Sequence, residues 1–148
     1  MSRARVAVEV QASPEDVWKV IADPRNLPRW DRHITRVEGV PPDGLSEGSQ
    51  YSTQVRFMGV AASVDAKVLE IDPPHYAKVR LRGLMDATVE TTVTSLGNGR
   101  SRLEHEVEYD FRGGPLGRLA SRALHVTGGP HILLRRGTLA QKRQAEGR

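Results

Sequence analysis

A chain of 148 residues suits one domain, in which roughly 70% of the unfolded surface can be buried, and the absence of cysteine excludes a disulfide framework, a thiol nucleophile and a zinc-thiolate site. No apolar run approaches the roughly 18 residues that span a bilayer, and the N-terminus lacks an apolar signal segment, so no integral membrane segment and a cytoplasmic location are expected. The net charge of +4 comes from basic residues spread from Arg3 to Arg148, a pattern of solvated surface rather than of a phosphate-tracking stripe, so no nucleic acid is expected as a partner.

Val6, Val8 and Val10 alternate with Arg5, Glu9 and Gln11, the period-two pattern of a half-buried strand. Ser13 then reads as a helix N-cap, with Pro14 at the first helical position and Glu15 and Asp16 in the first turn. Val17, Trp18, Val20 and Ile21 give that helix an apolar face. Asp23-Pro24 repeats the cap-plus-proline signal, ending the first helix and opening a short second one towards Trp30. Too short to be stable alone, the bent pair needs another element to lie against.

Residues 34–40 are expected as a strand closed by a turn at 41–44. Tyr51, Thr53, Val55 and Phe57 alternate with Ser52, Gln54 and Arg56, and Val60, Ala62, Val64, Ala66 and Val68 alternate with Ser63, Asp65 and Lys67. Met58-Gly59 between them makes a two-residue hairpin turn. Asp72-Pro73-Pro74 breaks the chain. Ala77, Val79 and Leu81 form the next inner face, residues 83–86 reverse the direction, and Ala87, Val89, Thr91 and Val93 follow. Asn98-Gly99 is a strong hairpin turn, after which Leu103, His105, Val107, Tyr109 and Phe111 alternate with an outer row of Arg102, Glu104, Glu106, Glu108 and Asp110. One face of this antiparallel sheet is wet, and something must cover the other.

The cover is expected from the C-terminus. Gly113-Gly114 release the chain and Pro115 opens a helix whose apolar face takes in Leu116, Leu119, Ala120, Ala123, Thr127, Leu133, Leu134 and Ala140. Gly128, Gly129 and Pro130 interrupt it with a kink or break. The Arg135-Arg136 and Lys142-Arg143 pairs read as a solvated helix face, and residues 144–148 as a loose end.

Strand, two short helices, six strands and a long helix is an order that resembles the helix-grip fold of the START-like superfamily, also described as the SRPBCC or polyketide cyclase/dehydrase and lipid-transport group. The resemblance lies in "ASPEDVWKVIADPRNLPRWD", in "VLEIDPP" and in "EVEYDFRGGPLGRLASRAL", and covers nearly the whole chain. It implies an α+β fold over residues 1–148. In that fold a curved seven-stranded antiparallel sheet carries two short helices and a long kinked C-terminal helix, which lies over an internal apolar cavity. Independently, the small inner residues Ala62, Ala66, Ala77, Ala87, Ala120 and Ala123 leave room for a void, the usual form of a ligand site.

By alternation the inner face carries Tyr51, Thr53, Thr91, His105 and Tyr109, with Thr127 from the helix. His105 is the only inward imidazole, the natural general acid or base, with Tyr51 or Tyr109 as its proton-transfer partner. The plainer reading is a histidine hydrogen-bonded to a neighbour such as Tyr51 or Tyr109. The ligand-facing set is completed by Val55, Phe57, Val64, Leu81, Val89 and Val107 from the strands, Leu119 and Ala123 from the helix, and Trp30, first a packing residue. Some aromatases/cyclases of the resembled group use a cavity arginine, but Arg56, Arg80 and Arg82 are expected to point outward. His125 and His131 lie six apart and no HExxH occurs, so neither metal nor cofactor is expected. A meander would gather Met58, Leu84, Met85 and Leu116 at one end, as an entrance rim or a homodimer contact. The leading expectation is binding or transport of a small hydrophobic molecule, lipid- or polyketide-like. The alternatives are a polyketide-type cyclase, aromatase or dehydratase using His105 and a tyrosine, and a protein-interaction module that uses its surface.

Overall fold

Alternation along seven segments becomes one antiparallel sheet. In the computed structural model, which describes residues 2–57, 59–83, 85–111, 118, 122 and 129–148, the elements run β1 (Ser2–Val10), α1 (Pro14–Ile21), a 3-10 turn (Pro24–Asn26), α2 (Leu27–Trp30), β2 (Ile34–Glu38), β3 (Gln50–Phe57), β4 (Val60–Asp72), β5 (Tyr76–Arg82), β6 (Met85–Gly97), β7 (Arg100–Phe111) and α3 (Pro130–Ala145). The sheet order is β1-β7-β6-β5-β4-β3-β2, so β2 to β7 form a meander and β1 returns beside β7. Met58, Leu84, Leu116, Leu119, Ala120, Ala123, Thr127 and Gly128 lie outside the described residues, as do the side chains of Phe57, Met85 and Phe111. Among the described residues no helix is long and apolar enough to cross a membrane.

The register puts the expected inner residues on one face. Tyr51, Ala66, Leu81, Ala87 and Tyr109 form one cross-strand row, and Ile71, Ala77, Thr91, His105 and Val6 form another. A shift in pairing between Val68 and Glu70 accommodates Leu69, so that Val68 and Ile71 both keep to the inner face. The outer face is wet and charge-balanced: Arg3 pairs with Glu106 and Glu108, Arg5 and Arg102 with Glu104, Arg100 with Glu9, and Lys78 with Glu90. Asn98 at φ 55° and Gly99 at φ 70° make the left-handed two-residue turn that suits the twist of β6 and β7. Two boundaries differ from the sequence reading. β2 stops at Glu38 rather than at residue 40, and β6 already includes Met85 and Asp86, which the sequence reading gave to the reversal.

Each short helix starts where its cap lies. The Asp16 N–H donates to Ser13 Oγ at 3.2 Å, and the Arg25 N–H donates to Asp23 Oδ1 at 3.1 Å. The second start is a 3-10 turn that leads into α2. Both α1 and α2 lie against α3, and α1 also packs on β6 and β7. Gly129 sits at φ 96°, a conformation that no helix contains, and α3 starts directly after it at Pro130. The C-terminal end is not loose. Glu146 accepts the Gln11 N–H at 2.7 Å and Lys142 Nζ at 2.9 Å and pairs with Arg148, while Lys142 also donates to the Glu9 carbonyl at 2.6 Å. Together these contacts hold Glu146 down at a pKa of about 2, the Arg148 hydrogen bond foremost and then that of Gln11.

The core lies at the Asn98-Gly99 end of the sheet, where Val10, Ala12, Val17, Val93 and Leu103 are buried together, with Val8, Trp18, Ile21 and Ala145 packed around them. Leu103 is fully enclosed among Val10, Ala12, Val17 and Val93, and its truncation would leave a cavity in a packed core. Leu103→Ala is therefore expected to lower the unfolding free energy by about 2–5 kcal/mol, measured by urea denaturation.

Candidate functional site

His105 stands on β7 opposite Thr91 of β6, beneath α3. Its Nδ1 lies 2.7 Å from Thr91 Oγ1 and its Nε2 lies 2.7 Å from Gln141 Oε1. Burial lowers the imidazole pKa below its ordinary value of 6.5, and the hydrogen bond to Gln141 opposes the shift only in part. The ring is thus neutral and carries one proton. The Gln141 amide oxygen can only accept, so Nε2 is the donor and Nδ1 accepts from the Thr91 hydroxyl. Both ring nitrogens are used inside the fold, and proton transfer to a third group requires one of these bonds to break.

The partners differ from the sequence reading, which put Tyr51 or Tyr109 beside His105. Tyr109 is four residues further along the same strand, and Tyr51 is on β3, four strands away from β7. Tyr51 and Tyr109 instead share a row, about 19 Å apart along the sheet at ordinary strand spacing, with Ala66, Leu81 and Ala87 between them. Gln141 was missed because it is polar on a helix read by its leucines. Its signal is phase: Leu134, Thr138, Gln141 and Ala145 follow one another at helical spacing, and Thr138 and Gln141 are buried. Thr138 satisfies its hydroxyl by donating to the Leu134 carbonyl at 2.7 Å.

Of the other expected residues, Thr53 and Val55 are buried, and Tyr51, Val64, Leu81, Val89, Thr91, Val107 and Tyr109 are half-buried on the same face. The Tyr51 hydroxyl has no hydrogen-bond partner among the described residues, and desolvation pushes its pKa up to about 12, which keeps it a neutral donor. Arg56, Arg80 and Arg82 are exposed, as the alternation required. Trp30 belongs elsewhere. It donates from its indole nitrogen to Gln144 Oε1 at 2.9 Å and lines a groove of about 420 Å³ between α2 and α3. A second hollow, of about 250 Å³, lies between α1 and the loops around Leu45 and Pro73.

The family model for polyketide cyclase/dehydrase and lipid transport matches residues 1–132. No curated protein matches the chain in sequence. Among solved structures, the Zhui aromatase/cyclase from Streptomyces is 17% identical with a TM-score of 0.73, the match covering 99% of this chain and 92% of that one. A START superfamily protein from Mycobacterium smegmatis is 17% identical with a TM-score of 0.72, over 98% of this chain and 97% of the other. A conserved protein from Geobacillus kaustophilus is 17% identical with a TM-score of 0.74, over 99% and 96%. Likeness at this identity carries the fold, the helix-grip arrangement of a long C-terminal helix against a seven-stranded sheet.

The buried neutral imidazole has a consequence for stability. The unfolded chain takes up a proton as the pH falls below about 6.5, while the folded ring, with its lowered pKa, does not until lower pH. His105 thus contributes stability that is full above about 6.5 and is lost as the pH falls. Urea denaturation of wild type and His105→Gln across about pH 7.5 to 5 is expected to show a shallower loss of stability in the variant.

Proposed function

The chain belongs to the polyketide cyclase/dehydrase and lipid transport family, and on that premise we propose that it binds and carries a small hydrophobic molecule rather than transforming it. The ligand lies on the concave face at the end of the sheet away from the packed core, between Tyr51 and Tyr109. The observation that carries this reading is the row that joins them. Small alanines, Ala66 and Ala87, stand with Leu81 between two tyrosines, and Tyr51 presents a neutral hydroxyl with no partner among the described residues. An apolar body against Val64, Leu81, Val89 and Val107 gains about 0.8 kcal/mol for each buried methylene. One carbonyl or hydroxyl oxygen on that body takes the Tyr51 proton as a hydrogen bond and fixes its orientation. Thr53 and Val55 continue the wall along β3. Entry is at the sheet end where β3 meets β4 and β5 meets β6.

The enzymatic alternative assigns proton transfer to His105 with Tyr51 or Tyr109. What speaks against it is the occupation of both imidazole nitrogens by Thr91 and Gln141, together with the distance of both tyrosines from the ring. His105 is read as a structural residue that holds α3 to the sheet.

The test uses N-phenyl-1-naphthylamine, a neutral fluorescent hydrophobe, on the full chain. Wild type and His105→Gln are expected to bind it saturably, and Ala87→Leu, which enlarges the small residue beside Tyr109 in the row, to bind at least about ten-fold more weakly while keeping its native circular dichroism. In competition with a long-chain methyl ketone, Tyr51→Phe is expected to lose about two- to ten-fold in affinity, the worth of one hydrogen bond. Binding unaffected by Ala87→Leu would contradict the reading.

A further inference from the structure

On much of the outer face of the sheet, arginines and lysines stand against glutamates across neighbouring strands. Arg56, Lys67, Arg80 and Arg82 stand there exposed and singly, without converging on a hollow. The groove between α2 and α3 is different. It is lined by Arg29 and Arg32 on one wall and Arg136 and Arg143 on the other, all exposed. None of these four has a carboxylate partner among the described residues. The single acid of the lining, Asp31, is held by His33, whose Nδ1 and backbone N–H both lie 2.8 Å from Asp31 Oδ1. Four guanidinium groups against one carboxylate leave the groove at a formal +3.

The floor is apolar and built. Trp30, Leu133, Leu139 and Ala140 supply it, and the indole is anchored by its hydrogen bond to Gln144 of α3 at 2.9 Å. A volume of about 420 Å³ is in the range of small-molecule sites and is too small for a nucleic-acid strand to run through. Unpaired arginines facing one another across a hollow repel, and an anion between them removes that repulsion. The planar guanidinium matches the two oxygens of a carboxylate or phosphate, and the indole face and leucines accept an apolar body.

We propose that this groove is a second binding site, separate from the concave face, for an amphipathic organic anion: a carboxylate or phosphate group held by Arg29, Arg32, Arg136 and Arg143, with its short apolar chain laid on Trp30 and Leu139. The site lies on the side of α3 turned away from His105. It does not depend on what the concave face binds.

The test is a titration of the full-length ¹⁵N-labelled protein with octanoate and octyl phosphate, with octan-1-ol as the uncharged control, followed by amide and indole N–H shifts. The anions are expected to move the Trp30 indole signal and the amides of residues 29–33 and 133–143 saturably, and octan-1-ol to leave them in place. The double variant Arg29→Gln/Arg136→Gln is expected to weaken the anions about five- to ten-fold, and added salt to weaken them in wild type. A parallel sedimentation with phosphatidylcholine vesicles, with and without phosphatidylglycerol, separates the two sources of such an anion. Retention on the anionic vesicles that the double variant loses assigns it to a lipid headgroup, and soluble-anion binding without retention assigns it to a free metabolite. Shifts confined to concave-face residues such as Thr91 and His105, an equal response to octan-1-ol, or no saturable response to either anion would overturn the proposal.

Discussion

The hydrogen bond from His105 to Gln141 is the constraint on which the remainder of the arrangement depends. A polar pair buried between a sheet and a helix has to be satisfied within the fold, since a donor left open there costs about 1–3 kcal/mol. Here the imidazole meets Thr91 on one side and Gln141 on the other, each at 2.7 Å, and burial keeps it neutral. Apolar packing alone tolerates rotation of a helix about its axis, but a hydrogen bond of this kind does not. With Leu134, Thr138, Gln141 and Ala145 on the inner side of α3, the helical period turns Arg136, Leu139 and Arg143 away from the sheet, where they line the groove with α2. One buried contact therefore positions both the inner and the outer side of this helix.

Around that contact the sheet divides into two halves with different work. Towards the Asn98-Gly99 turn, Val10, Val17, Val93 and Leu103 fill the space completely beneath α1 and the end of α3. The tie between Glu146, Gln11 and Lys142 closes that end. Towards the opposite end the inner row has alanines between its tyrosines, and a hydroxyl without a partner among the described residues. Stability is concentrated at one end, which frees the other to keep small residues. The outer face carries several of its charges in cross-strand pairs, whereas the arginines where α2 meets α3 gather around one groove without carboxylate partners among the described residues.

Much of the sheet was legible because one of its faces is wet. A period-two pattern with glutamate and arginine outside and valine inside leaves no choice of register, and Asn98-Gly99 admits few turns other than the one formed. The paired proline starts at Ser13-Pro14 and Asp23-Pro24 were equally readable, since each is a local capping event. The C-terminal helix was harder. Its inward face carries a threonine and a glutamine, so a reading by hydrophobicity chose Leu133, Leu134 and Ala140 and passed over the two most buried residues. The last residues were polar and read as loose, although Glu146 is bound across the fold to Gln11. The groove had no sequence signature, because Arg29 and Arg136 are distant along the chain and meet only through tertiary packing. His105 was recognised as inward, but its partners lie on another strand and on a helix, which alternation within a single strand cannot reveal.

The measurement that bears most directly on this account is a long-range ¹H–¹⁵N spectrum of the imidazoles, with the His105 signals assigned by their absence in His105→Gln. At about pH 6, where an ordinary histidine is largely protonated, the account predicts a neutral ring with the proton on Nε2 and the pattern of an acceptor at Nδ1. A protonated imidazolium, or a proton on Nδ1, would contradict it, because the ring would then be charged, or Nε2 would have no proton to give to the Gln141 oxygen.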